Sequence, residues 1–145
     1  MKILEMTEVT DEVVAALQRL IPQLTNNSTP PDRDALGKMA ASPDTVVFLA
    51  CEPDEHGEIV GSASLAIATS PTGAHGWIED VVVDEQARGK GIGRMLTQSL
   101  LDRARALGLK EVCLTSRPSR VAANQLYQSM GFIRRETNVY RFDLH

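Results

Sequence analysis

The chain has 145 residues, of which 43% are hydrophobic, and a formal net charge of −4. This length and apolar content favour one folded domain over residues 1–145 and exclude a disordered chain. No apolar run approaches the roughly 20 residues that span a bilayer, and no signal core opens the sequence. Cys51 and Cys113 stand apart, without the spacing of a disulfide framework or a zinc site. We therefore expect a cytoplasmic protein that uses no metal.

The first half of the sequence predicts a strand, two helices and a hairpin. Thr10 or Asp11 can cap a helix whose apolar residues recur at helical spacing, and Pro22 should end or bend that helix. Apolar, β-branched runs on either side of a turn predict the hairpin. The expected elements are a strand over Lys2–Thr7, helices ending near Leu24 and over Asp32–Ala41, and strands over Thr45–Cys51 and Glu58–Ala68.

The second half predicts strands that alternate with helices. Gly108 is placed to end a helix as an αL residue. The expected elements are strands over Gly76–Val83 and Glu111–Thr115, helices over Met95–Leu107 and Arg120–Met130, and a final strand pair over Phe132–Arg135 and Val139–Leu144. Antiparallel strands followed by a βαβα section imply an α/β fold, with a mixed, mostly antiparallel central sheet and helices on both faces.

The charges divide unevenly along the chain. Residues 1–85 contain 4 Lys and Arg against 15 Asp and Glu, whereas residues 86–145 contain 11 against 4. A basic half suits a polyphosphate ligand, and an acidic half would attract a cationic substrate. Nucleic acid fits less well, because the basic residues lack interleaved aromatics and the whole chain is acidic. The alternative interpretation is that these charges only solvate the surface.

A basic, glycine-rich turn follows the apolar run that ends at Val83. Three glycines in five positions uncover backbone N–H groups, and the helix start adds further N–H groups and a positive dipole end. Such a turn can hold a diphosphate, although a plain solvated connection is the alternative. It matches neither GxxxxGK(S/T) nor GxGxxG, whose third glycine is replaced by Arg94 or Leu96. The residues predicted to bind the diphosphate are Arg88, Gly89, Lys90, Gly91, Ile92, Gly93 and Arg94.

Two segments carry a resemblance to a known family. The run Arg88–Gly93 fits (Q/R)-x-x-G-x-(G/A), which is similar to the acetyl-coenzyme A loop of the GNAT N-acetyltransferase superfamily. The run from Asn124 and Tyr127 to Gly131-Phe132 resembles that family's Asn, Tyr and Gly-Phe ending. The gap between the two suits a helix, a strand and a second helix. The resemblance implies the GNAT-like fold, and acetyl-CoA as co-substrate.

Acetyl transfer to an amine needs a base for the ammonium and an acid for the departing thiolate. The resemblance favours Glu79 as the base, with the adjacent Asp80 as the alternative. Because the two are neighbours on a strand, we expect them to face opposite sides of the sheet. It implies Tyr127 as the acid that faces the cofactor sulfur. Asn124, on the same helix face as Tyr127, would bind the pantetheine arm. Each of these residues also has a structural interpretation. One of the two acids would be a hydrogen-bonded structural carboxylate, Tyr127 a core aromatic and Asn124 a surface amide.

Backbone groups are expected to polarise the thioester. Strands that splay apart leave ladder N–H groups unpaired, and pantetheine could bridge such a gap like an added strand. The gap is predicted between the start of the strand over 111–115 and the end of the preceding strand. The cofactor-binding residues predicted there are Val81, Val82 and Val83.

The sequence thus predicts direct acetyl transfer, in a ternary complex, to a primary amine of a small molecule or a peptide. The alternatives are a non-catalytic acyl-CoA sensor or regulatory module, and a nucleotide-phosphate binder. The segment Ile78–Val83 also resembles the corresponding segment of glucosamine-phosphate N-acetyltransferases. However, those enzymes usually carry an acidic residue after the following strand, where this chain has Thr115-Ser116-Arg117. We expect neither nucleic acid nor membrane as a partner. An exposed last strand could pair with a second copy in a homodimer.

Overall fold

A computed structural model describes residues 1–145, which contain a five-stranded sheet and four α-helices. The chain divides into two compact units, Met1–Leu114 and Thr115–His145. The first unit contains β1 (Lys2–Glu5), α1 (Asp11–Leu24), α2 (Arg33–Ala41), β2 (Thr45–Glu52), β3 (Glu58–Ser70), β4 (Gly73–Val83), a 3₁₀ turn (Glu85–Ala87), α3 (Ile92–Ala106) and β5 (Val112–Cys113). The second contains α4 (Val121–Ser129). None of the helices has the length and apolar content to cross a membrane.

The strands follow one another across the sheet in chain order, β1-β2-β3-β4-β5. Strands β1 to β4 pair antiparallel. Turns link β2 to β3 and β3 to β4, and α1 and α2 lie between β1 and β2. Strand β5 returns through α3 and pairs with β4 in parallel. The predicted α/β fold with a mixed, mostly antiparallel sheet is therefore confirmed.

Helices cover both faces of this sheet, as the sequence predicts. Val47 and Leu49 of β2 lie in one buried cluster with Leu20 of α1. The residue between them, Phe48, points to the other face, where the guanidinium of Arg103 in α3 lies 5.2 Å from its ring centroid. Strand alternation thus sends neighbouring residues of β2 into two different layers, and each fully buried Leu contributes about 1.5–3 kcal/mol.

The start of α1 confirms its predicted cap. The Thr10 hydroxyl accepts a hydrogen bond from the Val13 N–H at 3.2 Å, and Asp11 occupies the first turn. Pro22 lies inside the last turn, and the helix continues to Leu24. A proline this near the C-terminus shortens the helix little, because few N–H groups follow it.

The predicted final strand pair is wrong. No regular secondary structure follows α4, and the side chains from Ile133 to His145 are exposed. Alternation alone cannot make a strand, because a strand needs a neighbour for its backbone groups. The predicted strand over Glu111–Thr115 shortens for the same reason to the two residues that pair with β4.

Candidate active site

The β4 strand continues beyond the end of β5. Their parallel pairing joins Gly76 to Val112 and Trp77 to Cys113 and then stops. The residues from Ile78 to Val83 therefore have β3 on one side and no strand on the other. The sequence predicts an open edge at this end of β4, but its prediction that the start of the strand over 111–115 flanks the gap is wrong, because Val112 pairs with Gly76 and the edge opens only beyond Cys113.

A β-bulge interrupts β4 next to this edge. Ser62 and Ser64 of β3 pair with Val82 and Glu79, so one residue of β3 faces two of β4. Asp80 lies in the bulge with φ +53°, which is uncommon for a residue other than glycine. The prediction that Glu79 and Asp80 face opposite sides assumed a regular strand; the bulge removes that basis, and both side chains are exposed.

The backbone at the end of β4 alternates between β3 and the open edge. The Asp84 N–H donates to the Val60 carbonyl of β3 at 2.8 Å. By alternation from Asp84, the amide of Val83 points away from β3, and the amide of Val82 points toward it. Of the three predicted valines, Val83 thus offers a main-chain donor to the gap, Val82 belongs to the core, and Val81 lies in the bulge.

Two side chains of α1 form hydrogen bonds with the residues that precede the glycine-rich turn. The Asp84 carboxylate accepts hydrogen bonds from the Gln86 N–H at 3.2 Å and from Arg19 Nε at 3.3 Å. The Gln86 N–H first, and Arg19 in addition, hold the pKa of Asp84 below its ordinary value against the opposing effect of burial. Gln23 accepts from the Glu85 N–H at 2.9 Å. Sequence reasoning missed Arg19 and Gln23, because no local pattern marks contacts across more than 60 residues.

The glycines of the turn face open space. Gly89 and Gly91 have φ +83° and +78°, and a methyl group on either would meet no atom within 4 Å. These positive φ angles explain why the turn requires glycine. Their backbone is therefore accessible to a ligand from outside.

The helix α3 begins at Ile92, three residues before the predicted start at Met95. Gly91 is its N-cap and makes no side-chain capping bond, whereas Ile92 is 2% exposed and anchors the first turn in the core. Gly93 and Arg94 thus belong to the helix rather than to the loop. The start of α3, with its positive dipole end, lies directly at the bare turn, an arrangement that favours anion binding.

The three basic residues of the turn are exposed, and the contacts of Arg88 and Lys90 are with neighbouring parts of the same unit. Arg88 Nε donates to the Val83 carbonyl at 3.3 Å, and Lys90 Nζ pairs with a Glu52 carboxylate oxygen at 3.3 Å. Sequence reasoning did not identify Glu52. An exposed ion pair of this kind contributes about 0–1 kcal/mol, so a phosphate can compete with Glu52 for Lys90. Arg94 is exposed on the first turn of α3.

The pKa of the Glu79 carboxyl is displaced in the direction that suits a general base, although the side chain is exposed. Desolvation by the surrounding protein first, and the neighbouring charge of Asp80 second, raise this pKa above the ordinary value. A carboxylate with a raised pKa is a stronger proton acceptor near neutral pH. No three His, Cys, Asp or Glu side chains are grouped so as to hold a metal ion.

Asn124 and Tyr127 lie on α4, in the second unit. Both hydrogens of the Asn124 amide are directed to the start of its own helix, to the carbonyls of Arg117 at 2.9 Å and Arg120 at 2.8 Å. Only its oxygen is left for a ligand. Tyr127 is 8% exposed and meets Phe132 edge to face, with ring centroids 5.6 Å apart. Burial raises the pKa of the Tyr127 phenol, and Arg120 opposes that rise.

The predicted site residues therefore fall into two groups. The first group lies within the first unit, at the end of β4 and just after it in the chain. It consists of Glu79, the valines of β4 and the turn Arg88–Arg94. Asn124 and Tyr127 share a face of α4 in the second. The first group combines an open strand edge, bare glycine amides, a helix start and a carboxyl with a raised pKa.

Comparison with known proteins identifies the class. Residues 13–132 match the model of the Acetyltransferase (GNAT) family, and the chain belongs to that family. An acetyltransferase from Trypanosoma brucei of known structure aligns over 99% of this chain and 100% of its own, with a TM-score of 0.74 and 31% identity. The glucosamine-6-phosphate N-acetyltransferase of Arabidopsis thaliana shares the fold, with a TM-score of 0.79 at 21% identity over 98% and 99% of the two chains.

Two relatives have more specific names. A glucosamine 6-phosphate N-acetyltransferase of Trypanosoma brucei brucei is 41% identical over 91 residues, which are 61% of this chain and 59% of the relative. An aminoglycoside N(6')-acetyltransferase type 1 of Stenotrophomonas maltophilia is 32% identical over 122 residues, 76% of each chain. The match thus spans less than two thirds of the trypanosomal enzyme, and 28% of a mycothiol acetyltransferase from Thermobispora bispora.

Proposed function

We propose that this protein is an N-acetyltransferase that transfers an acetyl group from acetyl-CoA to a primary amine. The observation that carries the proposal is the junction of the open β4 edge with the bare turn and the start of α3, in a chain of the GNAT family. The turn would bind the pyrophosphate through its main-chain amides, with Arg88, Lys90 and Arg94 as counter-charges. Pantetheine would lie along Val81–Val83 as an added strand.

The proposed reaction is a direct transfer. Glu79, acting through water, takes a proton from the ammonium, and the amine nitrogen then attacks the thioester carbonyl carbon. The carbon–sulfur bond breaks, Tyr127 donates its phenolic proton to the departing thiolate, and the second proton that the nitrogen loses restores the Tyr127 phenol. The phenol is protonated at neutral pH, as this role requires, since the ordinary pKa of tyrosine is about 10 and burial raises the pKa of Tyr127 further. Cys51 is a poor candidate for a covalent intermediate, since it is buried and burial raises the pKa of its thiol.

We propose a small molecule or a peptide as the source of the acceptor amine. The names of the relatives support amino sugars as the first substrates to test, since one acts on glucosamine 6-phosphate and another on aminoglycosides. The acidic half of the chain would favour a cationic acceptor. The two free cysteines fit a reducing compartment such as the cytoplasm.

A thermal melt with coenzyme A, followed by a thiol-release assay with acetyl-CoA over a panel of amines, tests the proposal. We expect coenzyme A, and not ATP, to raise the melting temperature, and at least one amine to release thiol. Binding without release over the whole panel would favour the acyl-CoA sensor instead. Stabilisation by ATP rather than coenzyme A would favour the nucleotide-phosphate binder.

A further inference from the structure

The buried cluster beneath α1 does not extend over the whole face of the sheet. Val47 of β2 lies in that cluster, and its direct partner on β3 is Ser64. Ser64 in turn pairs with Glu79 of β4, so the Glu79 side chain lies on the same face of the sheet as α1. Trp77, two residues before Glu79, shares this face because side chains alternate along a strand. Neither Trp77 nor its partner Ala66 belongs to the cluster.

Small side chains surround Trp77 on the sheet. Its direct neighbours across the strands are Ala66 on β3 and Cys113 on β5, and the neighbour of Glu79 is Ser64. None of these side chains rises as far from the sheet as an indole, and Trp77 is half-buried rather than buried. They therefore leave part of the indole open to a ligand, beside the exposed Glu79 carboxyl.

The Trp77 indole makes no polar or aromatic contact with the protein. No protein atom accepts a hydrogen bond from its N–H, and the two aromatic rings that meet are those of Tyr127 and Phe132. Tryptophan combines a large apolar face with one polar N–H, which usually finds a partner when it is buried. The indole can therefore take a ring on its face and a hydroxyl oxygen at its N–H.

We propose that Trp77 selects the acceptor, and that it favours amines carried by a ring with a flat apolar face. The ring would lie on the indole, and its amino group would reach toward Glu79, whose Cα is about 7 Å further along the strand. A pyranose and a phenyl ring share this chemistry, and a sugar hydroxyl would in addition accept from the indole N–H. This inference rests on the proposed acetyl transfer with Glu79 as the base.

Steady-state kinetics with two pairs of amines tests the proposal. Glucosamine and benzylamine carry a ring, whereas serinol and butylamine are open-chain counterparts. Trp77→Ala should raise KM for both ring amines about tenfold, and it should leave kcat and the KM of the open-chain amines nearly unchanged. Trp77→Phe keeps a flat face but lacks the N–H, so it should restore the KM of benzylamine fully and that of glucosamine only in part.

His75→Ala is the matched control. It removes another half-buried ring from the same face of β4, two residues from Trp77 on the side away from Glu79. We expect this variant to keep the wild-type KM for all four amines. The melting temperatures of the variants show whether each one remains folded.

Fluorescence gives a second measurement that needs no turnover, because Trp77 is the only tryptophan in the chain. With coenzyme A present, we expect the two ring amines to change its emission in a saturable way and the open-chain amines to leave it unchanged. An emission that neither ring amine alters at millimolar concentration would overturn the proposal, whether or not the protein transfers acetyl groups.

The kinetic results separate this proposal from the acetyl transfer itself. A KM in Trp77→Ala that is unchanged, or that rises equally for ring and open-chain amines, would overturn the role of Trp77 and leave the transfer intact. Saturable emission changes with the ring amines, but thiol release with none of the four, would support the ring site and contradict the proposed transfer to such amines.

Discussion

Glu79 and Tyr127 each have a pKa raised above the ordinary value, chiefly by desolvation, and the two shifts bear differently on the proposed reaction. For the Glu79 carboxyl, the rise makes the ionised form a better proton acceptor. The Tyr127 phenol is neutral at pH 7 even at its ordinary pKa, and the rise extends the neutral form to higher pH while making the phenol a weaker acid. The sequence could identify both residues, because a carboxylate pair before an apolar run and a Tyr in a Gly-Phe ending are local patterns. It could not predict the strained φ at Asp80, which depends on the register with β3.

Glu79→Gln should lower kcat/KM about 100-fold at neutral pH, since general-base catalysis contributes 10²–10⁴-fold. Wild-type activity should fall on acidification through a pKa above that of an ordinary glutamate, because only the carboxylate accepts a proton. The variant should lack this limb in a pH–rate profile. Asp80→Asn is the control, since Asn also tolerates positive φ. An unaltered profile in Glu79→Gln, with the limb lost in Asp80→Asn, would assign the base to Asp80.

Tyr127→Phe should lower kcat about 100-fold and change the affinity for acetyl-CoA little. The substitution removes only the hydroxyl and keeps the ring that packs on Phe132. Steady-state kinetics, together with calorimetric titration of coenzyme A, would separate the two effects. A kcat equal to that of the wild type would exclude Tyr127 as the acid.

At the scale of elements, the junction of β4, the turn and α3 combines local and distant constraints. The glycines, the cations and the following helix are evident in the sequence. The start of α3 at Ile92 was missed because Ile92-Gly93-Arg94 resembles loop, although Ile92 is a core residue. The pairing of Lys90 with Glu52 was missed because it joins residues 38 apart.

Gly91→Ala should destabilise the protein by about 1–2 kcal/mol, the cost of placing an L-residue in the left-handed region. It should also weaken coenzyme A binding, because the turn would relax away from φ +78°. Gly37→Ala is the matched control. Gly37 lies inside α2 with equally open surroundings, and there alanine should stabilise by about 0.5–1 kcal/mol. Denaturant unfolding measures both; equal effects at the two sites would contradict the role of the positive φ.

Asp84→Ala should cost about 1 kcal/mol at pH 7, the usual cost of replacing a capping Asp by alanine. The folded pKa of Asp84 lies below the unfolded value, so its stabilisation is complete above the unfolded pKa and disappears as pH falls through the folded one. The difference between wild type and variant should therefore shrink on acidification below about pH 4. Urea unfolding at several pH values measures it, and a difference independent of pH would contradict the lowered pKa.

At the scale of the whole molecule, the order of the elements allowed the fold to be predicted. The same reasoning failed for the last residues of the chain. Antiparallel strands before a βαβα section fix a mixed sheet, because connection length decides between hairpin and crossover. The predicted last strands failed, because strand formation depends on a partner that local alternation does not reveal. The sequence also does not identify the acceptor amine, because relatives with different named substrates belong to the same family.

The central claim is that main-chain amides from Arg88 to Arg94 bind the pyrophosphate of coenzyme A. The most direct test is an amide NMR titration of the ¹⁵N-labelled chain with coenzyme A, and separately with pantetheine, which lacks the pyrophosphate. We expect coenzyme A to move the Gly89, Gly91 and Gly93 resonances most, and pantetheine to leave them in place while it moves Val81 and Val83. Saturable coenzyme A binding that leaves the three glycine amides unmoved would contradict the account.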